Sequence, residues 1–203
     1  MGIYEKYFLP KLLNLAMKAP AMKALRERLI PLAEGKVLEV GIGSGLNLPF
    51  YEKSVHVTGL DPSLELQAYA RDVAKQEGID VNFIGLSGED IPADNNSFDT
   101  VVMTWTLCTI PDPRQALMEI KRVLKPGGKV IFAEHGEAPD VNIAKWQARI
   151  NPVWNVIGGG CHLNRKIESL YEGSGFNFDE IDKGYLEGPR IATYNFRGIA
   201  SIA

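Results

Sequence analysis

The 203-residue chain has only two cysteines, Cys108 and Cys161, and two are too few for the disulfide framework of a small secreted protein. No apolar run approaches the roughly 18 residues of a membrane span. The first residues lack both the basic start and the uninterrupted apolar stretch of a signal peptide. The formal charge of −3 lacks the basic excess of proteins that bind nucleic acid. These absences predict a cytoplasmic chain that does not bind nucleic acid.

What is present is the composition of an ordinary globular chain, with 45% hydrophobic and 23% charged residues. Internal repeats are lacking, and the length suits one domain with a full core. Between residues 36 and 133, short apolar segments alternate with segments of helical spacing, which predicts a parallel sheet with helices on both faces. Strands are predicted at 36–40, 55–60, 81–84, 98–104 and 129–133, and helices at 45–51, 63–77 and 113–124.

The two ends of the chain depart from this alternation. Apolar residues at helical spacing predict two N-terminal helical pieces, about 3–16 and 21–32, separated at Pro20. Two strands are predicted near the C-terminus, and because no long helix separates them we expect an antiparallel hairpin at the sheet edge. The elements predicted beyond residue 138 are helices at 142–154 and 165–172 and strands near 176–184 and 193–202.

A glycine-rich loop follows the first predicted strand in the segment Glu39-Val40-Gly41-Ile42-Gly43-Ser44-Gly45. Glycines there let the backbone approach a ligand, and the N–H groups that follow can donate to it. A dinucleotide fingerprint would have a third glycine where Leu46 stands, so a dehydrogenase is disfavoured. The Glu39 carboxylate would repel a pyrophosphate but attract an ammonium or sulfonium group. The loop therefore favours a cationic ligand that carries an amino acid.

Acidic residues also follow the second and third predicted strands. Asp61 stands twenty residues after Gly41, where a carboxylate can accept both hydroxyls of a ribose. Gly88-Glu89-Asp90 offers a carboxylate and a backbone N–H suited to an adenine edge. Because the carboxyl ends of parallel strands meet at one edge of a sheet, the three acidic positions form one constellation.

With these motifs the sequence resembles the class I S-adenosylmethionine-dependent methyltransferases of the type 11 superfamily. Segment 39–45 is similar to their first motif, Asp61 to the acidic end of their second strand, and 88–90 to their adenine-side loop. Ser97-Phe98-Asp99-Thr100-Val101-Val102 resembles their fourth-strand motif, and the segment from Arg122 to Gly128 resembles the turn before their fifth strand. The resemblance covers about residues 36–135.

A narrower resemblance, to the methyltransferase-like thiol S-methyltransferases and their bacterial relatives, lies further along the chain. It rests on Thr106-Leu107-Cys108-Thr109-Ile110, on Phe132-Ala133-Glu134-His135, on Pro152-Val153-Trp154 and on the segment from Gly160 to Arg165. The same broad family includes phospholipid N-methyltransferases and quinone-biosynthesis enzymes. The acceptor is therefore expected to be a small hydrophobic molecule, with a thiol as the first choice.

The resemblance implies a Rossmann-like α/β fold with a seven-stranded, mostly parallel sheet, an antiparallel C-terminal edge hairpin and helices on both faces. Within one domain, 1–34 would form an N-terminal helical lid, 36–135 the cofactor-binding core and 138–203 the acceptor cap and edge hairpin. S-adenosyl-L-methionine is the cofactor that it implies. The residues expected to contact it are Glu39, Gly41, Ile42, Gly43, Ser44, Gly45, Asn47, Asp61, Pro62, Ser63, Gly88, Glu89, Asp90, Thr104, Trp105 and Thr106.

Two histidines are candidates for accepting a proton from the methyl acceptor. His135 follows the fifth predicted strand, and His162 lies in the expected acceptor cap. Catalysis by proximity alone, without a dedicated base, is an equal alternative. Side chains expected near the acceptor or in the lid are Tyr4, Tyr7, Cys108, Trp154, Cys161 and Arg165.

Other interpretations stay open at this point. Cys108 is either a small buried hydrophobe or a reactive thiol, and Trp105 and Trp154 either line a pocket or fill the core. Two adjacent ligands, Cys161 and His162, fall short of a zinc set, so no metal is expected. Apolar residues interspersed with lysines at the N-terminus would let a phospholipid or quinone methyltransferase contact a membrane surface. A non-catalytic nucleoside-binding module is the alternative outside the enzymes.

Overall fold

The fold is a seven-stranded sheet in the order β3-β2-β1-β4-β5-β7-β6, with helices around it. The structure is a computed structural model, and residues 9–203 are the ones it describes. The strands are β1 (Lys36–Val40), β2 (His56–Leu60), β3 (Val81–Ile84), β4 (Phe98–Thr104), β5 (Leu124–His135), β6 (Phe176–Tyr185) and β7 (Tyr194–Ile202). The helices are α1 (Leu9–Ala16), α2 (Pro20–Leu29), α3 (Leu64–Glu77), α4 (Pro113–Val123), α5 (Val141–Ile157), α6 (Ile167–Gly173) and α7 (Arg190–Thr193).

The first five strands pair in parallel, as their apolar runs predict. The chain crosses from β3 at one edge to β4 beside β1, so the strand order reverses between β1 and β4. In sheets of this kind, the crevice at the carboxyl ends of the strands where the order reverses is where ligands bind. Of the predicted constellation, Glu39 lies at the end of β1, Asp61 directly follows β2, and residues 88–90 lie in the loop after β3.

The last two strands form the predicted antiparallel hairpin at the sheet edge. β7 pairs antiparallel with β5, and β6 pairs antiparallel with β7 and forms the edge. The seven-stranded, mostly parallel fold class is thereby confirmed. The division of one domain into a lid, a core and a cap stays a prediction.

The bounds of the helix after β1 and the start of β5 differ from those predicted. The helix expected at 45–51 is only a 3₁₀ turn, Leu48–Phe50, because Gly45 adopts a left-handed conformation (φ +77°) that interrupts a right-handed helix. α4 ends at Val123, and β5 begins at once rather than at residue 129. Asp112 caps α4, since its carboxylate accepts the backbone N–H groups of Arg114 and Gln115.

The sheet separates two layers of apolar packing. Alternate residues of β1 point to opposite faces, so Leu38 and Val40 join the layer that contains α4 and α6, whereas Val37 joins the layer that contains α2 and α3. Glu39 has the parity of Val37 and is buried on that second face. Among the described helices, none combines the length and the apolar character that crossing a membrane requires.

An aromatic cluster fills the first layer between β5, α6 and β6. Tyr171 is fully buried, and its ring centroid lies 4.9 Å from that of Phe132 and 5.8 Å from that of Phe176. No described residue provides a hydrogen-bond partner for its hydroxyl. The Tyr51 hydroxyl is also buried but donates to Glu39 Oε2 at 2.8 Å.

This pair of tyrosines makes a matched test of polar burial. Because Tyr171 buries a hydroxyl without a partner, Tyr171→Phe should raise the free energy of unfolding by about 1 kcal/mol or leave it unchanged. Tyr51→Phe removes a hydrogen bond to a buried carboxyl and should lower it by about 1–3 kcal/mol. Urea unfolding followed by circular dichroism measures both. Equal losses in the two variants would contradict the assignment.

Candidate functional site

The glycine loop after β1 turns tightly against the end of β2. The backbone N–H groups of Gly41 and Ile42 both donate to the carbonyl of Leu60, at 2.7 and 3.1 Å. Gly41 has φ +76°, and a Cβ built there would lie 2.1 Å from Thr106 Oγ1, so only glycine fits between the two loops. At Gly43, by contrast, a Cβ would meet nothing closer than 3.9 Å. The backbone at Gly43 therefore borders open space.

Asp61 connects this loop to the end of β2. Its Oδ2 accepts the backbone N–H of Gly43 at 2.9 Å, and its Oδ1 accepts that of Ser63 at 2.8 Å. Burial raises the pKa of Asp61 above its usual value, although these two hydrogen bonds oppose the shift. Each oxygen can accept a further hydrogen bond, because a carboxylate oxygen has two lone pairs.

Glu39 lies beneath the loop, in a buried polar network. Its two oxygens accept hydrogen bonds from Asn47 Nδ2 at 2.9 Å and from the Tyr51 hydroxyl at 2.8 Å. Asn47 also donates to Thr104 Oγ1 at 3.0 Å and accepts from Arg26 Nε at 3.0 Å. Burial is the main cause that raises the pKa of Glu39 to about 7, against the hydrogen bonds from Tyr51 and Asn47 and the charge of Arg26.

The remaining residues of the predicted cofactor set are distributed around this centre. Ser44 Oγ donates to Asn14 Oδ1 at 2.9 Å, which ties the loop to α1. Gly88 packs on β1, since a Cβ there would lie 2.8 Å from Val40 Cγ1. Glu89 accepts hydrogen bonds from the Ser87 hydroxyl and from the backbone N–H of Asp112, while Asp90 is exposed. Their contact with a cofactor stays a prediction.

The turn after β4 has a strained start. Trp105 adopts φ +51°, which is rare for a residue with a large side chain. Its backbone N–H donates to Ala133 O at 2.6 Å, its indole N–H donates to Asn195 Oδ1 at 2.8 Å, and the Arg26 guanidinium lies 4.8 Å from its ring centroid. Of the two open interpretations, the structure supports a packed Trp105.

Sequence reasoning missed Glu134, which holds this turn in place. Glu134 Oε1 accepts the backbone N–H groups of Thr106 and Leu107, both at 2.9 Å, and Oε2 accepts that of Cys108 at 3.4 Å. Burial raises its pKa to about 7, and these hydrogen bonds oppose the shift. A charged residue at the end of the apolar run Val130–Ala133 was the available signal, because a carboxylate buried there needs several donors.

Three predicted residues from distant parts of the chain converge beside that turn. Cys161 Sγ lies 3.1 Å from His135 Nε2 and 3.9 Å from Cys108 Sγ, and it accepts the indole N–H of Trp154 at 3.3 Å. We call Cys108, His135 and Cys161 the thiol–imidazole cluster. Hydrogen bonding from Cys108, and then from His135, lowers the pKa of the Cys161 thiol against the opposing effect of burial. For His135, burial is the largest influence and favours the neutral ring, but Cys161 outweighs it and raises the pKa.

Of the other residues predicted to lie near the acceptor, His162 and Arg165 lie close to the cluster, whereas Tyr4 and Tyr7 lie outside the residues that the structure describes. The ring nitrogens of His162 lie 3.1 Å from the amide nitrogens of Asn151 and Asn155. Arg165 donates to the carbonyls of Cys108 and Ile110. Tyr4 and Tyr7 lie outside residues 9–203, so their predicted part in a lid is not described.

A cavity of about 420 Å³ lies beside Arg165, whose guanidinium donates to the Cys108 carbonyl. It is bordered by the cationic side chains of Arg114, Arg165 and Lys166, and by His162. Leu170 and Pro111 supply apolar surface.

Comparison with known proteins shows the family to which the chain belongs. A family model described as a methyltransferase domain matches residues 38–132. The thiol S-methyltransferase TMT1B of Rattus norvegicus is 38% identical over 153 residues, which are 73% of this chain and 63% of that protein. The human thiol S-methyltransferase TMT1A is 32% identical over 170 residues, which are 81% of this chain and 68% of that protein. The chain belongs to the methyltransferase domain family.

A solved structure extends the likeness of the fold to almost the whole chain. A SAM-dependent methyltransferase from Thermotoga maritima superposes with a TM-score of 0.70 at 20% identity, covering 98% of this chain and 97% of that one. At this identity the likeness concerns the fold alone. The chain spans slightly less than two thirds of the length of the rat relative.

The raised pKa of Glu39 predicts a pH-dependent stability. In the folded state its pKa is about 7, against 4.5 for the unperturbed group, so the folded chain binds the extra proton between these values. Its stabilising contribution is complete below about pH 4.5 and is lost as the pH rises through about 7. Glu39→Gln should remove this loss, so that the variant gains up to about 3 kcal/mol relative to the wild type between pH 4.5 and 7.5.

Urea unfolding at a series of pH values measures this difference. Glu52→Gln, at an exposed position, is the matched control and should track the wild type throughout. A Glu39→Gln curve parallel to that of the wild type would show that Glu39 does not change protonation in this range.

Proposed function

We propose that the chain is an S-adenosylmethionine-dependent methyltransferase that acts on a small, fairly hydrophobic acceptor, with a thiol as the preferred class. The observation that carries this proposal is the acidic, glycine-rich crevice formed by the Gly41–Gly45 loop and Asp61. The identity of 38% and 32% to two thiol S-methyltransferases supports the choice of acceptor. A cytoplasmic location stays a prediction from the cysteine usage.

The crevice residues fit S-adenosylmethionine. Asp61 is buried at the end of β2 yet keeps lone pairs for two ribose hydroxyls. A Cβ at Gly43 would meet nothing closer than 3.9 Å, so the backbone there can approach the amino-acid part of the ligand. Glu89 and Asp90 would hold the adenine side. The acids Glu39 and Asp61 suit a cationic ligand and would disfavour a pyrophosphate.

The chemistry divides between the ligand and the chain. When bound, S-adenosylmethionine supplies a methyl group on a sulfonium sulfur, which is transferred in line to a nucleophile. The residues of the chain bind both reactants, orient them and exclude water, and alignment of this kind contributes up to several kcal/mol. The turn whose backbone Glu134 holds begins at Thr106, which lies against Gly41 of the loop after β1, and reaches Cys108 of the thiol–imidazole cluster. His135 and His162 stay candidates for accepting a proton from the acceptor.

A second candidate function is methylation of a phospholipid or a quinol at a membrane surface. Apolar side chains are exposed on two helices, with Leu15 of α1 72% exposed and Val156 of α5 71% exposed. Leu12 and Val153 are exposed on the same two helices. Such side chains could lie in the headgroup region of a membrane.

Asp61→Asn tests the cofactor assignment. The substitution removes a charge and replaces one acceptor oxygen by a donor, so affinity for S-adenosylhomocysteine should fall by about ten- to hundredfold. Isothermal titration calorimetry measures the affinity, and thermal unfolding shows whether the variant is folded. Asp99→Asn, at the opposite end of the strands where Asp99 pairs with Lys125, is the control and should keep the affinity. Binding of NAD in place of the S-adenosyl ligand would overturn the assignment.

A methyl-transfer screen tests the acceptor. The full chain is incubated with methyl-labelled S-adenosylmethionine and with aryl and alkyl thiols, phosphatidylethanolamine vesicles or quinol analogues. We expect label in the thiols in the absence of membranes. Label only in vesicles, together with sedimentation of the chain with anionic liposomes, would favour the second candidate. Tight cofactor binding without transfer to any acceptor would favour a non-catalytic nucleoside-binding module.

A further inference from the structure

The thiol–imidazole cluster has the composition of a metal site. Among the described residues it is the group of at least three His, Cys, Asp or Glu whose ligand atoms approach closely enough to bind one ion. The two sulfurs and the imidazole nitrogen all lie within 4.8 Å of one another, although the residues are 27 and 26 positions apart in the chain. Sulfur and imidazole donors together favour Zn²⁺ over Mg²⁺ or Ca²⁺, which prefer oxygen.

The distances between the donor atoms approach those found around a small ion. Tetrahedral zinc with bonds of about 2.3 Å to sulfur and about 2.0 Å to nitrogen places neighbouring donor atoms roughly 3.5–3.8 Å apart. The Cys108 and Cys161 sulfurs are 3.9 Å apart, and Cys161 Sγ is 3.1 Å from His135 Nε2. Small side-chain rotations would bring the three atoms to equal distances from a common centre.

The surroundings favour a divalent ion held by two thiolates. Cys108 is 1% exposed and Cys161 is 8% exposed, so the donors are shielded from water. Two thiolates balance the charge of Zn²⁺, which makes the buried unit neutral. The indole N–H of Trp154 already points to Cys161 Sγ at 3.3 Å, as a supporting hydrogen bond to a ligand would. Glu134 is occupied by backbone N–H groups and is not needed as a ligand.

Three protein ligands leave a fourth position on zinc, and catalytic zinc sites use that position for water or substrate. Protein encloses the cluster, and His135 is its most exposed member. We infer that Cys108, His135 and Cys161 bind a zinc ion whose fourth position takes the sulfur of a thiol acceptor. This inference rests on the proposed function, because it gives the means by which a thiol acceptor is activated.

The chemistry of this step balances without an oxidant or a reductant. Binding of Zn²⁺ displaces the protons of both cysteine thiols to solvent. The acceptor sulfur replaces a water in the fourth position, its thiol proton passes to solvent, and the zinc–sulfur bond keeps the nucleophile ionised at neutral pH. The acceptor sulfur then bonds to the methyl carbon while the bond between that carbon and the sulfonium sulfur breaks. The electron pair of the broken bond stays on the donor sulfur, and the thioether product binds zinc more weakly than a thiolate does.

The experiment titrates the full chain, reduced and freed of metal with a chelator, with Zn²⁺ and with Co²⁺ as a spectroscopic probe. We expect equimolar binding, a near-ultraviolet thiolate-to-Co²⁺ absorption band, and protection of both cysteines from alkylation by Zn²⁺. Cys161→Ser and His135→Gln should weaken Zn²⁺ binding by about a hundredfold or more, and His56→Gln, on the exposed side of β2, should not. If a cluster variant fails to fold, alkylation of the wild-type cysteines with and without Zn²⁺ tests the metal site, because bound Zn²⁺ should slow their alkylation.

Addition of 2-mercaptoethanol tests the fourth position. The Co²⁺ spectrum should change with the thiol and stay unchanged with its S-methyl thioether. No equimolar binding, no thiolate band, or oxidation of the cysteines to a disulfide under the titration conditions would overturn the metal site. An unchanged spectrum with thiol would overturn the role of the fourth position.

Methyl transfer, measured separately, distinguishes this inference from the proposed function. Thiol methylation at full rate by the metal-free chain would refute activation by zinc and leave the proposed function intact. Zinc binding with a thiol-sensitive spectrum, but methylation of phospholipid or quinol alone, would refute the thiol acceptor and leave the metal site intact.

Discussion

The loops at the ligand end of the sheet are organised by carboxylates that are buried at the ends of strands. Glu39, Asp61 and Glu134 lie at or directly after the ends of β1, β2 and β5, and each is at most 8% exposed. A carboxylate in such a position costs several kcal/mol unless hydrogen-bond donors surround it. The donors can come only from the segments that cross the same end of the sheet. The shape of those segments therefore follows from the need to supply N–H and O–H groups.

The three carboxylates meet this need in different ways, and the differences determine what each loop can do. Asp61 accepts backbone N–H groups from both flanking loops, and a ligand can share its remaining lone pairs. Glu39 is satisfied by side chains beneath the loop, so its influence on a ligand is electrostatic. Glu134 accepts three successive backbone N–H groups and so holds Cys108 in the turn. The thiol–imidazole cluster depends on that turn, because Cys108 lies in the turn and His135 directly follows Glu134 in the chain.

Much of the sheet could be predicted because its signals are local. The bounds predicted for β3 and β4 are those observed, since each apolar run is flanked by polar or turn residues. The predicted start of β5 was wrong by five residues, because Pro126 and Gly127 indicate a turn. In the structure the pairing of β4 with β5 continues past these residues across a bulge. α5 continues through Pro152 to Ile157, beyond its predicted end at residue 154. Packing against neighbouring elements can outweigh a local breaker of this kind, and a single sequence does not reveal it.

The family resemblance, the parallel sheet and the acidic residues of the crevice could be recognised in the sequence, because the glycines and carboxylates involved lie in short segments at the ends of predicted strands. Cys108, His135, His162 and Cys161 were also identified individually. Which of these four side chains contact one another depends on the tertiary fold. Sequence adjacency paired Cys161 with His162, but the structure turns His162 toward two asparagines and brings Cys161 to His135 and Cys108. The physical reason is that contacts between residues 26 and 53 positions apart are set by the order of strands in the sheet and by the path of α5, which local patterns do not contain.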